Sequence, residues 1–441
     1  MADLGFLGMR VTGSWPANVQ PENYRQLLLL FNPNGTAPLL AIQSFLKTES
    51  TDDITIHWAT KTLATQRATG TAGSFVYTDS ALATPYVSGG VAGNILYVKV
   101  TLAFSNHFRA GHTVLARLST DYRKDTHARV VAVTKNGASS YVTIKLREAD
   151  PVSGGLALVD TLLVIGNSSD EAGTAPASIS YDPEQFDNLC QTFWTTLEIS
   201  RRMLNTKLRF FDAYQELRRE AMQYHGLEIE RSLWYGKKFS GTGDNDKPIT
   251  ELDGYVSFMN VNASSNVSDY KNTTNTDYAG KAWLTAGADW LDEYVYKAAE
   301  FGAVGSGTER IGFCGNDALR GINRIARHLG FYQVDSMTTK FGMKVTYWQT
   351  PVLDIYLKTT PAFSYEPTDR ATIMILDPKL LVGRPLKNSD TKFLPDVNFD
   401  KGGFTSVDGK KEGWITDMSM EFHNPFAGLI LRNVGKDNDA A

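Results

Sequence analysis

Cysteine is nearly absent: Cys190 and Cys314 are the two in 441 residues, and they lie far apart with no second thiol near either. That spacing excludes a disulfide framework and any cysteine-rich zinc site, so both read as small buried apolar residues. Long hydrophobic runs are missing as well. The run Leu27-Leu28-Leu29-Leu30-Phe31 is far short of the roughly 20 apolar residues of a bilayer-spanning helix, and Asn32-Pro33 ends it. The start, Met1-Ala2-Asp3-Leu4, has no basic segment leading into an apolar core. An export signal is therefore not expected, and the product is expected to stay in the cytoplasm. Nor is there an excess of basic charge. Lys and Arg number 44 against 48 Asp and Glu, a net charge of −4, so any contact with nucleic acid is expected to be local and weak.

The motifs of chemistry are also lacking. Seven histidines give no metal spacing: His107 and His112 flank Phe108-Arg109-Ala110-Gly111 with no third ligand beside them. Gly302-Ala303-Val304-Gly305-Ser306-Gly307-Thr308 is glycine-rich, but it follows a helical pattern and lacks the Gly-Lys-Ser/Thr ending of a phosphate loop. It reads as a turn. Neither Ser88-Gly89-Gly90 nor Ser153-Gly154-Gly155 forms a nucleophile elbow. Asp182-Pro183 and Asp377-Pro378 read as turn starts ahead of catalytic acids. Arg201-Arg202 with Lys207 and Arg209, and Arg320, Arg324 and Arg327 at helical spacing, read as solvated or salt-bridging faces ahead of DNA contacts. Asn262, Asn266 and Asn272 open glycosylation sequons which, without a secretory route, are simply a polar loop. The expectation is no catalytic residue, no cofactor and no metal ligand: a protein that acts through its surface and is not an enzyme.

What is present is 42% hydrophobic and 21% charged residues, enough chain for two or three folding units. Residues 1–50 carry turn chemistry (Ser14-Trp15-Pro16, Gln20-Pro21, Asn32-Pro33-Asn34-Gly35) and read as an irregular arm, with a short helix opening at Pro21. An arm of this kind cannot bury itself and is expected to lie on something else. From Thr51 to about Pro176 short alternating runs predict strands at 54–58, 96–100, 114–118, 129–134, 141–146 and 162–165, forming a small barrel or sandwich. Asn136-Gly137 predicts a tight hairpin turn between 129–134 and 141–146. Between Lys207 and Tyr235, Phe210, Tyr214, Leu217, Ala221 and Tyr224 recur at helical steps opposite Arg209, Asp212, Glu216, Arg219, Glu220 and Gln223. A long amphipathic helix follows, with Gly226 as a bending point. Residues 260–278 read as a polar loop. Helices are expected at 290–301 and 317–329, stopped by Gly302 and Gly330, and then strands at 343–348, 352–357, 371–376 and 414–422.

Leu197-Glu198-Ile199-Ser200-Arg201-Arg202 through Asn205, Tyr214-Gln215-Glu216-Leu217-Arg218-Arg219-Glu220 and Glu228-Ile229-Glu230-Arg231 resemble the spine-helix region of tailed-phage major capsid proteins. Ile373-Met374-Ile375-Leu376-Asp377-Pro378 resembles the strand and turn opening that family's final region, and Met420-Glu421-Phe422-His423-Asn424-Pro425-Phe426-Ala427 its closing strand. Their order and spacing over roughly 51–435 carry the resemblance. It implies an α+β, Hong Kong 97-type phage capsid fold. The implied parts are an N-terminal arm (1–50), an extended loop region (51–185) with an inserted small β-barrel-like unit at about 107–166, and a peripheral domain (186–250) with spine helix 207–235. An axial domain (251–371) and returning peripheral-domain strands with the C-terminus (372–441) complete it.

The resemblance also implies a major capsid protein that self-assembles, as pentamers and hexamers, into the icosahedral head shell of a tailed phage around double-stranded DNA. Assembly would occur in the host cytoplasm, with portal and scaffolding proteins, room for decoration proteins, weak non-specific DNA contact and no membrane. No long charged segment near the N-terminus resembles one that is later cut away, so the scaffolding protein is expected to be separate. Two structural readings compete, a bacterial nanocompartment shell and another virion part such as a tail or tube protein. The chain's length and its β unit argue against the first, and closed shells would exclude the second. A carbohydrate-active enzyme or peptidase would need paired acids or a metal triad brought together in space.

Overall fold

The computed structural model describes residues 47–438, apart from 62, 151–154, 170, 172, 174, 206–212, 273–276, 301–306, 330–333, 341–342 and 402–407. Nearly all of the expected arm, the first residues of the expected spine helix, with Lys207, Arg209 and Phe210, and most of the glycine-rich 302–308 stretch therefore lie outside the described residues. The chain divides into two units, one made of the chain up to residue 59 with 185–441, the other of 60–184.

In the first unit, the strand Gln191–Ser200 turns Phe193, Thr195, Leu197 and Ile199 inward and exposes Trp194, Thr196 and Glu198, the alternation of a half-buried strand. It pairs antiparallel along its whole length with Gly409–Phe422, from Gln191 opposite Met418 to Ser200 opposite Gly409. Leu381–Pro385 and Lys392–Leu394 pair on the other side of Gly409–Phe422, and Lys47–Thr48 adds a parallel edge to Leu381–Pro385. On this sheet rests the helix Ala213–Tyr235, about 34 Å long at 1.5 Å per residue. It runs unbroken through Gly226. Ala221, His225, Ile229 and Leu233 recur every fourth residue on its buried side, with Trp234 beside them. Tyr224, expected to point inward, is 55% exposed. At about 100° per residue the arc set by Ala221, Ile229 and Trp234 places it nearly opposite the core.

A second sheet of seven strands runs in the order Val267–Asp269, Leu429–Arg432, Ile373–Leu376, Glu309–Cys314, Asp354–Thr359, Met343–Gln349, Val334–Lys340. Alternate residues serve two cores. Ile311, Phe313, Met374, Leu376 and Ile430 pack with Trp234, Tyr255 and Phe363. Cys314, Ile355, Leu357, Ile373, Ile375, Leu429 and Leu431 pack under the helices Trp283–Glu300 and Asn316–Leu329. Two expectations are corrected here. The final strands do not all return to the sheet of the spine helix: Ile373–Leu376 and Leu429–Arg432 join the second sheet. Their unbroken apolar runs suit strands covered on both faces. The stretch 260–278 is also more than a loop, since it holds the end of the helix Tyr255–Asn262, the short turn Ser264–Asn266 and the strand Val267–Asp269. Asn266, 3% exposed, donates to the Phe426 and Gly428 carbonyls at 2.7 and 3.0 Å, so its polarity serves the buried backbone and not water.

The second unit is one antiparallel sheet ordered Arg67–Thr69, Thr161–Asn167, His112–Leu118, Asp121–Thr134, Tyr141–Leu146, Ile95–Lys99, Val76–Tyr77. Its outermost strands are joined by residues 70–75 alone. Seven strands laid flat would separate them by about 29 Å, whereas seven extended residue steps reach only about 25 Å, so the sheet must curl. The result is barrel-like, around Val98, Val114, Ala128, Val142, Ile144 and Leu162. The unit is wider than the expected 107–166, because strands from Arg67 onward belong to the same sheet. The hairpin at 129–146 is present, but its turn is not a tight Asn-Gly pair: Gly137 takes φ +52° at the start of the short helix Gly137–Ser139. Ser140 Oγ accepts from the Asn136 N–H at 2.9 Å and donates to the Gly137 carbonyl at 2.8 Å.

Candidate functional site

At the edge of the first sheet, the segment from Lys47 to Thr51 is clamped. Glu49 N–H donates to the Gly383 carbonyl at 2.9 Å, and Thr51 N–H to that of Pro385 at 3.0 Å. Arg384 holds Glu49 at 2.9 Å on one side and Glu421 at 2.7 Å on the other, and His423 bonds Glu421 at 2.9 Å. Burial alone would raise the Glu421 carboxyl, but the bonds from His423 and Arg384 outweigh it and hold it below the usual range.

The spine helix is seated by polar contacts within its apolar ridge. His225 Nδ1 meets Thr195 Oγ1 at 3.0 Å and Nε2 meets Thr416 Oγ1 at 2.8 Å, tying the helix to both long strands. Burial lowers the pKa of His225, with Glu228 opposing. Tyr214 donates to Glu412 at 2.6 Å, Lys410 pairs with Glu412 at 2.8 Å, and Arg218 lies 3.9 Å above the Phe393 ring.

The opposite face of the same sheet is open. Trp194 is 64% exposed there, and it lines a groove with Thr196, Leu394, Val397 and Gly413. Phe239 and Ile249 are exposed on the two-stranded hairpin Phe239–Thr242 and Pro248–Glu251, and Val261 is 77% exposed. A two-stranded hairpin is marginal on its own, and contiguous exposed apolar side chains mark contact surfaces.

The residues weighed from sequence fall into separate places. His107 Nδ1 meets Tyr181 at 3.2 Å, and His112 Nε2 accepts from Arg109 at 3.1 Å, so both imidazoles engage protein partners. Among the described residues no three His, Cys, Asp or Glu form a group fit to hold a metal ion. Asp377 caps the turn Pro378–Leu380 and pairs at 3.1 Å with Arg310, both side chains 2% exposed. Sequence reading missed this pair, whose only signal was an Arg inside the apolar run of Glu309–Cys314. Arg201 pairs with Asp408 at 2.6 Å. Cys190 and Cys314 are buried, their thiols pushed up to about 11 and about 12. Among the described residues no helix is long and apolar enough to cross a membrane.

Comparison with known proteins points to one family. The model of the SU10 major capsid protein family matches residues 8–435. The major capsid protein of Pseudomonas phage PaMx41 is 24% identical over 353 residues, covering 79% of this chain and 75% of that one. The solved structure of Mycobacterium phage Cain is similar over 94% of this chain and 93% of its own, at 9% identity and TM-score 0.45. That of Mycobacterium phage Bobi is similar over 96% and 94%, at 9% identity and TM-score 0.43. By that family match the chain is a structural protein of the phage capsid, and its own elements are a mixture of helices and sheets. It belongs to the SU10 major capsid protein family.

Proposed function

We propose that copies of this chain assemble, as pentamers and hexamers, into an icosahedral shell around double-stranded DNA. Assembly takes place in the host cytoplasm on a separate scaffolding protein, around a portal, and the finished shell accepts decoration proteins and touches DNA weakly. No catalytic residue, cofactor or metal takes part. The observation that supports this reading most is Trp194, largely exposed on an otherwise well-packed sheet beside Leu394 and Val397. A subunit gains stability when neighbours cover such a surface, so association and final folding are linked.

Two variants test it. Trp194→Glu should change subunit stability by no more than about 0.5 kcal/mol, as an exposed substitution, yet abolish closed shells in electron micrographs. Deleting residues 1–50 should leave a soluble, folded monomer or capsomer that no longer closes. Normal particles from both variants would overturn the reading.

A further inference from the structure

The helix Asn316–Leu329 has two faces of different chemistry. Ala318, Ile322 and Ile325 are buried in the core below it. On the other side Arg320 and Arg327 are exposed and Arg324 is half-buried. At about 100° and 1.5 Å per residue, these three fall within an arc of about 60° along about 10 Å of helix axis. Asn316 and Asn323 border the ridge on one side and Asp317 on the other, the one carboxylate of this helix beside the three arginines.

None of the three arginines forms an ion pair among the described residues. Arg324 donates to the Gly435 carbonyl at 3.3 Å and Arg327 to that of Asn323 at 3.2 Å, each using one of five N–H donors. The flanking Asp317 is already shared by Arg370 at 3.8 Å and Lys436 at 3.4 Å. Asp369 accepts from Tyr235 at 2.7 Å, and Asp437 from the Trp283 N–H at 2.9 Å. Three unpaired guanidinium groups in a row are notable on a chain of net charge −4.

We propose that this ridge binds the phosphate backbone of double-stranded nucleic acid without reading its sequence. The guanidinium fork matches phosphate oxygens, and a row of cations gains affinity by releasing the counterions condensed on a polyanion. The exposed residues of the ridge are all polar, whereas a protein partner favours an apolar or aromatic centre. The inference rests on the reading of the chain as a shell around DNA, and names the surface that meets the genome.

The test titrates full-length protein into a fluorescent DNA duplex of about 30 base pairs, by anisotropy, between about 50 and 200 mM salt. Shell formation is followed separately by electron microscopy. For R320Q/R327Q, the slope of log binding constant against log salt should fall by about 2, near 0.9 for each phosphate that is no longer neutralised. R320K/R327K should keep the slope, as should the control K61Q/R147Q. An unchanged slope in R320Q/R327Q, or no DNA binding by the wild type, overturns the proposal while leaving intact shells, and hence the capsid reading, standing. Loss of shells with an unchanged slope also overturns it, and marks the ridge as a surface where copies of the chain meet.

Discussion

Arg310 and Asp377 are a buried ion pair, and removing one partner strands the other charge in a dry core. Arg310→Met should cost about 3 to 5 kcal/mol by urea unfolding of the unassembled subunit, and R310M/D377N should recover much of that loss. A single-site cost under about 1 kcal/mol would show the pair is not the anchor its burial implies. Acid acts through His225 and Glu421. Both hold folded-state pKa values below their ordinary 6.5 and 4.5, so the folded state binds fewer protons there than the unfolded chain. Stability at neutral pH should thus decline as pH falls below about 6.5, and more steeply below about 4.5. His225→Gln should flatten the first part of that decline in thermal melts at stepped pH. At this scale the sequence was poorly legible. His225, Glu421 and Arg310 are ordinary polar letters until the fold brings Thr195, Thr416, Arg384 and Asp377 to them from distant segments.

Elements were more legible, because periodicity is local. The helix Asn316–Leu329 and most of the expected strands lie where alternation and four-residue steps put them, within a few residues, whereas the helix expected from residue 290 already begins at Trp283. The failures have a common cause, since each element's partner was out of view. The run 260–278 looks polar because Asn266 and Ser268 serve buried neighbours. Tyr224 looks apolar to a pattern that does not know which arc meets the sheet. Close approach between elements also sets a test. A Cβ on Gly321 would lie 2.5 Å from the Gly435 Cα, where the helix Asn316–Leu329 meets the C-terminal turn. Gly321→Ala should therefore destabilise by about 1 to 3 kcal/mol despite its gain in helix propensity, measured by urea unfolding. A stabilised variant would show that this close approach gives way freely.

For the whole molecule, the candidate site is not a pocket but a set of surfaces, and these were the least legible feature of the sequence. Trp194 and Phe239 become exceptional only once their neighbours are known to be covered. The fold class, by contrast, was implied by the resemblance of the segments around the spine helix to tailed-phage capsid proteins, and the family match over residues 8–435 agrees with that resemblance. The claim that decides the account is assembly. The measurement that tests it is electron microscopy of the full chain, expressed alone and with its neighbouring open reading frames. Closed polyhedral shells, or rings of five and six subunits, are the predicted result; open tubes, or a chain that stays monomeric under every condition, would contradict it.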